Sequence, residues 1–380
     1  MNSFTTIHSN LLSKNQKVQH FTTVSSFTTN ISGTTPSQTE WGGFNGTGQY
    51  VVLFAYNTPP STTSYYRLCY LWVSSDYGAT FVIKTVNSSQ SYGYYGNRQA
   101  TVNRYGFVAF AVNQNNGGGG IYLSSDAGNN FTQNSVIGDI TSRMQGSSIN
   151  NTNVTSSIVC YAGCNTIGIY KRAFTNFPDT NTFNPVYSTG NSVGTFRFAS
   201  DLITQNVIYN NGGNVYSTNG GSSWNPISST SPIYPVNTSY PANDFYISPK
   251  ETMFFGAGYF YYYLSTTSFT SGWTNISSRF TGLSTYQNLN GGLTPFACTG
   301  DNKYIAIAQW FPVATGGIYN NTVQCFISSD FGTNFTAIKV FDASSDPALG
   351  TITMTYDNNN TPKRILITGY NITNIYYINF

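Results

Sequence analysis

Charge is what this chain has least of. Its 380 residues include 16 Lys and Arg and 13 Asp and Glu, so 8% of the sequence is charged, where an ordinary soluble protein carries about 25%. Histidine occurs only as His8 and His20, both near the N-terminus, which argues against a histidine-based triad or a histidine-rich metal site. No run of Lys or Arg exceeds a pair, as in Lys171-Arg172. No clustered face can therefore neutralise phosphates, and nucleic acid is not an expected partner. No apolar run approaches the roughly 18 residues of a membrane span. The segment Met1–His8 has neither the basic nor the apolar region of a secretory signal, so the expectation is no signal peptide and no membrane insertion. The five Cys are odd in number and lack the spacing of a zinc ribbon or a redox motif. Cys160 and Cys164 would suit a disulfide across a hairpin, but buried free thiols are the simpler reading. No metal and no cofactor is expected.

Aromatic residues are abundant: 30 Tyr, 27 Phe and 5 Trp. That excludes a disordered chain, which has few aromatics and high net charge. An eight-residue pattern, Ser-x-Asp-x-Gly-x-x-aromatic, recurs along the sequence. It is intact in Ser74, Asp76, Gly78 and Phe81, in Ser124, Asp126, Gly128 and Phe131, and in Ser328, Asp330, Gly332 and Phe335. Ser217, Asn219, Gly221 and Trp224 keep it with Asn for Asp, Thr266 to Trp273 keeps the hydroxyl and the aromatic, and Tyr170 to Phe177 keeps the aromatic alone. The pattern is a turn device. The carboxylate accepts hydrogen bonds from backbone N–H groups two or three residues on, Gly takes positive φ, and Ser adds a local bond. Alternating apolar runs on both sides make each copy the joint of two antiparallel strands.

The pattern resembles the Asp-box, or BNR repeat, of sialidase-like β-propellers. In that family the box joins the third and fourth strands of a blade, and the spacing of the copies suits blades of about 40 to 50 residues. The resemblance implies an all-β propeller of four-stranded antiparallel blades, in one domain over residues 1–380; six box positions and the strands left over at the two ends make it a seven-bladed β-propeller. The last blade would combine Thr351 to Tyr356, Arg364 to Tyr370 and Asn374 to Phe380 with the N-terminal strand Val18 to Ser25. Such closure leaves no frayed sheet in the ring. Residues 1–17 would be an extension packed on the surface, and a six-bladed ring with frayed ends is the alternative.

The sialidase catalytic set does not carry over. There is no Arg-x-Pro, since Arg67 precedes Leu68-Cys69, and Glu40 and Glu251 are the only glutamates. Of the eleven Asp, three belong to the boxes, and most of the others sit in turn-rich loops where an Asp commonly caps a turn. No catalytic residue is assigned, and a noncatalytic role is the favoured reading. One alignment suggests a ligand site. Arg98, Arg143 and Arg197 fall near the start of the first strand in successive blades, with Asp244 in the next, and such Arg residues converging on a channel would hold an anion. Tyr94 and Tyr95, in a loop rich in Ser, Gly and Asn, offer a surface for sugar stacking or protein recognition. The expected partner is a protein or a glycan, with no expectation for oligomeric state. The composition resembles that of proteins of AT-rich large DNA viruses, which would make the chain a virion component. The alternative is a glycan-binding lectin or a glycoside hydrolase using the channel mouth. The photosystem assembly factors with Asp-boxes are a third resemblance, without a plastid transit peptide here.

Overall fold

A computed structural model describes residues 24–28, 48–57, 68–87, 100–112, 120–134, 144–164, 168–188, 196–198, 208–210, 215–228, 244–257, 262–280, 296–311, 322–342, 349–369 and 374–380. Among them the structure is all-β, with two single 3₁₀ turns at Thr155–Ser157 and Ser277–Arg279. β1 (Val24–Thr28) comes first in the chain. A three-stranded first sheet follows, from β2 (Val51–Asn57), β3 (Leu68–Ser74) and β4 (Val82–Asn87). The second sheet is β5 (Ala100–Val102), β6 (Val108–Val112), β7 (Gly120–Ser124) and β8 (Thr132–Asn134). The third is β9 (Met144–Ile149), β10 (Val159–Cys164), β11 (Gly168–Ala173) and β12 (Asn184–Ser188). The fourth is β13 (Phe196–Phe198), β14 (Ile208–Asn210), β15 (Val215–Ser217) and β16 (Asn225–Pro226). The fifth is β17 (Asp244–Ile247), β18 (Phe254–Ala257), β19 (Tyr262–Ser265) and β20 (Thr274–Asn275). The sixth is β21 (Phe296–Cys298), β22 (Ile305–Phe311), β23 (Thr322–Ser328) and β24 (Thr336–Asp342). In the seventh, β25 (Leu349–Tyr356), β26 (Pro362–Gly369) and β27 (Asn374–Asn379) pair in sequence order, and β1 is the outer strand.

The sheets are antiparallel meanders because each strand is short, apolar on alternate residues and ended by a tight turn. Both faces are covered, and the pleat divides each strand between two neighbours. Val108 and Phe110 of β6 pack with Val52 and Leu71 of the first sheet, while Ala109 between them packs with Ile158 and Tyr170 of the third. Likewise Ile305 and Ile307 of β22 face Phe255 and Tyr262 of the fifth sheet, and Ala306 and Ala308 face Ile352 and Ile365 of the seventh. Third meets fourth through Tyr187 and Trp224, ring centroids 4.9 Å apart, and fourth meets fifth through Tyr216 and Phe269, also 4.9 Å apart. Val51, Leu53 and Trp72 of the first sheet pack with Leu366 and Ile375 of the seventh, so the succession of interfaces returns to its start.

Several sequence expectations need correction. The N-terminal strand is Val24–Thr28 rather than Val18 to Ser25, with Val24 opposite Ile378 and Thr28 opposite Asn374; residues 18–23 lie outside the described residues, as does the 1–17 extension. Cys160 and Cys164 stand on the same strand, opposite Arg172 and Gly168, so no hairpin brings them face to face. Cys160, Cys298 and Cys325 are buried free thiols. Tyr170 to Phe177 is not a turn: Tyr170 to Ala173 continue β11, and the link to β12 follows from Phe174. The turn is displaced because Arg172 is not a loop residue but a buried one. It donates to Asn134 Oδ1 of the second sheet and to the Asn181 carbonyl, pairs with Asp179, and lies 4.2 Å from the Phe174 ring centroid.

Candidate functional site

In each recurrent turn, the serine hydroxyl is the central acceptor. Ser124 Oγ receives the buried N–H of Gly128 at 2.9 Å and the N–H of Asp126 at 3.2 Å, and donates to Asp126 Oδ1 at 2.7 Å. Asp126 Oδ1 in turn receives the N–H of Asn130 at 2.9 Å, and Oδ2 receives Asn130 Nδ2 at 2.6 Å. The turns at Asp76 and Asp330 repeat this scheme. The carboxylate thus reaches three to four residues on, not two or three, because the intervening Gly N–H belongs to serine. Burial pushes each of the three Asp upward, but the hydrogen bonds to residues on the far side of the turn and to Ser outweigh it and hold them below the ordinary value. The fourth copy substitutes Asn219 with the same contacts, Oδ1 to Ser223 N at 2.9 Å and to Ser217 Oγ at 3.0 Å. In the fifth sheet the hydroxyl is Ser265, one residue before the aligned Thr266, and it donates to the carbonyls of Ser268 and Ser271.

A second series of turns, between the first and second strands, carries no shared sequence pattern and was not legible. Asn103 Oδ1 receives the N–H groups of Tyr105 and Phe107. Ser248 Oγ does the same for Thr252 and Met253, and Asp357 Oδ1 for Asn359 and Thr361. The two series share one end of the molecule. Ala127 N donates to Gly106 O at 3.0 Å, Tyr77 N to Gln49 O at 2.8 Å and Phe331 N to Lys303 O at 3.1 Å. Asn103 Nδ2 extends the network to the Asn150 and Thr152 carbonyls of the third sheet, and Arg104 Nη1 reaches Asn358 Oδ1 of the seventh at 3.2 Å.

The Asp side chains outside the recurrent turns that the structure describes each have a partner. Asp179 pairs with Arg172, Asp342 with Lys339, and Asp301 accepts from Thr299 Oγ1 and Lys303 N. Lys363 beside Asp357, with a bond of 2.9 Å, draws that carboxyl down to about 2. Burial moves the phenols and thiols the wrong way for a nucleophile. It pushes Tyr161 up to about 12 and Cys298 up to about 12, and raises Tyr246, Tyr262, Cys160 and Cys325 as well. Among the described residues no three His, Cys, Asp or Glu side chains group as a metal site, and no helix is long and apolar enough to cross a membrane.

Of the residues aligned from the sequence as a ligand site, Arg98, Arg143, Tyr94 and Tyr95 lie outside the described residues. Arg197 is in β13, opposite Tyr209, and Asp244 opens β17, opposite Ala257. These are the first strands of neighbouring sheets, and they contact one another, as do β5 with β9 and β9 with β13. The level set by Phe198↔Ile208 and Ile247↔Phe254 is common to both sheets, since Ile208 and Phe254 face the serines Ser217 and Ser265. Arg197 is one residue from that level and Asp244 three, a difference of about 7 Å along the strand.

Radially packed antiparallel meanders of this kind define the β-propeller class. No known family and no curated protein matches the sequence. Among solved structures, the chain is similar to YCF48 bound to D1 peptide, with 11% identity and a TM-score of 0.55 over 94% of this chain and 97% of that one. It also matches a GH74 enzyme of Niastella koreensis, at 15% identity and a TM-score of 0.38 over 89% of this chain and 44% of the enzyme.

Proposed function

We propose that the chain is a seven-bladed propeller of the Asp-box class, closed by both termini, that works as a noncatalytic module for binding protein or building a particle. The observation that carries this reading is the commitment of the Asp carboxylates among the described residues to turns and ion pairs: hydrolysis of a glycoside needs two carboxyl groups about 5 to 9.5 Å apart across the sugar. The likeness to YCF48, whose structure holds a peptide, supports a protein partner. The virion reading rests on composition. Mass spectrometry of cross-linked partners, run beside purified particles, tests both; recovery of the chain without any stable protein partner would overturn the proposal.

A second reading places a carboxylated sugar or other anion between the inner strands of the fourth and fifth sheets. It is favoured by Arg197 and Asp244 lying on contacting strands, with Arg98 and Arg143 as further cations of the same site. Stabilisation by mass action gives its test. Sulfate or sialic acid should raise the melting temperature of the protein but not that of Arg197→Ala, and a glycan array with fluorogenic glycosides would separate binding from turnover.

A further inference from the structure

The fourth recurrent turn differs from the three acidic ones in two adjacent residues. It has Asn219 where they have Asp, and Gly220 where they have Tyr77, Ala127 and Phe331. We propose that Asn219 is a site of spontaneous deamidation, and that its aspartyl product completes the turn as a fourth Ser-x-Asp-x-Gly box.

The chemistry needs only solvent. The Gly220 nitrogen attacks Cγ of Asn219 and gives up its proton to solvent base, while Nδ2 takes a proton and leaves as ammonia. A five-membered succinimide remains. Water then opens it: cleavage of the new Cγ–N bond gives aspartate, and cleavage at the main-chain carbonyl gives the isoaspartyl linkage. No oxidant or reductant takes part.

Two observations favour this position. First, the nucleophile carries no Cβ beside it, since position 220 is glycine with φ 64°. Second, the product fits. Asn219 Oδ1 already occupies the place of the aspartate Oδ1. Nδ2 donates to Ser223 Oγ at 2.9 Å, and a hydroxyl can reverse that bond and donate to a carboxylate oxygen, as Thr80 Oγ1 does to Asp76 Oδ2 at 2.7 Å. Lys171 Nζ, bound to the Gly220 carbonyl at 3.0 Å, puts a positive charge one residue from the new carboxylate.

The test ages the full-length protein in mildly alkaline buffer and maps peptides by mass spectrometry. Conversion of residue 219 from amide to acid is expected, severalfold slower in Gly220→Ala, a change the turn accommodates because Ala127 occupies that place in the second box at φ 55°. The Asn219→Asp variant should melt at or above the temperature of fresh protein. A residue 219 that stays an amide while a peptide of residues 215–226 converts would overturn the proposal. So would a mainly isoaspartyl product, or an Asn219→Asp variant that melts well below the fresh protein.

Discussion

At the scale of single residues, the turn chemistry divides between serine and aspartate in a way that fixes what each is worth. The Gly128 N–H is buried and its acceptor is Ser124, so Ser124→Ala orphans a buried donor and should cost about 1–3 kcal/mol. Asp126 serves the exposed N–H of Asn130, which water can solvate once the carboxylate is gone. Asp126→Ala should therefore cost less, about 0.5–1.5 kcal/mol, and urea titrations of the two variants give the order directly. The same carboxylates couple folding to acid. Asp76, Asp126 and Asp330 lie below the ordinary value of 3.8 in the folded chain, so the unfolded state binds protons more readily. Their contribution is present above about pH 4, the unfolded value, and disappears as pH falls through the folded values. Replacing all three with Asn, which the fourth copy shows to be compatible with the turn, should flatten the loss of stability on acidification. An unchanged acid limb would show that other carboxylates set it.

At the scale of elements, what was legible in the sequence followed from locality. The all-β character, the hairpins and the boxes show themselves because eight contiguous residues contain both the hydrogen-bonding groups and the aromatic. The turns between first and second strands escaped because Asn103, Ser248 and Asp357 do one job with three side chains, and no pattern search on residue identity unites them. Their lengths also differ: residues 103–107 separate the paired Val102 and Val108, but 199–207 separate Phe198 and Ile208. With turns of unequal length, an alignment on the sequence alone brings together Arg197 and Asp244, which stand at different levels of their strands. β1 was misplaced for a related reason, since a run from Val18 through Thr28 of mixed polar and apolar residues allows several registers, and only pairing with β27 selects one. As an outer strand bonded to β27, β1 leaves a long strand edge behind when removed. Other outer strands carry Lys or Pro, as in Lys84, Pro185, Pro226 and Lys339. Deleting residues 1–28 should expose β27 and produce aggregation or a broadened, lower melting transition; melting like the full-length chain would mean that β1 adds nothing to the closing sheet.

At the scale of the whole molecule, each recurrent turn leans on the sheet before it. A Cβ added at Gly128 of the second sheet would lie 3.3 Å from Val73 of the first, the Gly220 carbonyl of the fourth receives Tyr161 and Lys171 of the third, and the Gly332 carbonyl of the sixth receives Arg279 of the fifth at 2.7 Å. For the first sheet the preceding neighbour is the seventh: Thr355 Oγ1 donates to the Tyr77 carbonyl at 3.2 Å, and Gly78 abuts Leu366. That junction joins residues far apart in sequence and makes closure measurable. Gly78 has φ 77°, and a Cβ there would sit 2.6 Å from Leu366 Cδ1, whose side chain is fully buried. Gly78→Ala combines left-handed strain with overpacking and should cost about 1–3 kcal/mol, and Leu366→Ala about 2–5 kcal/mol for the cavity it leaves. In the double variant the new methyl enters the space that Leu366 vacates, so the two costs should fall short of their sum by about 0.5–3 kcal/mol, the range for residues in contact. Strict additivity in chemical denaturation would mean that the first and seventh sheets do not meet in solution, and the ring would then have to be open at this junction.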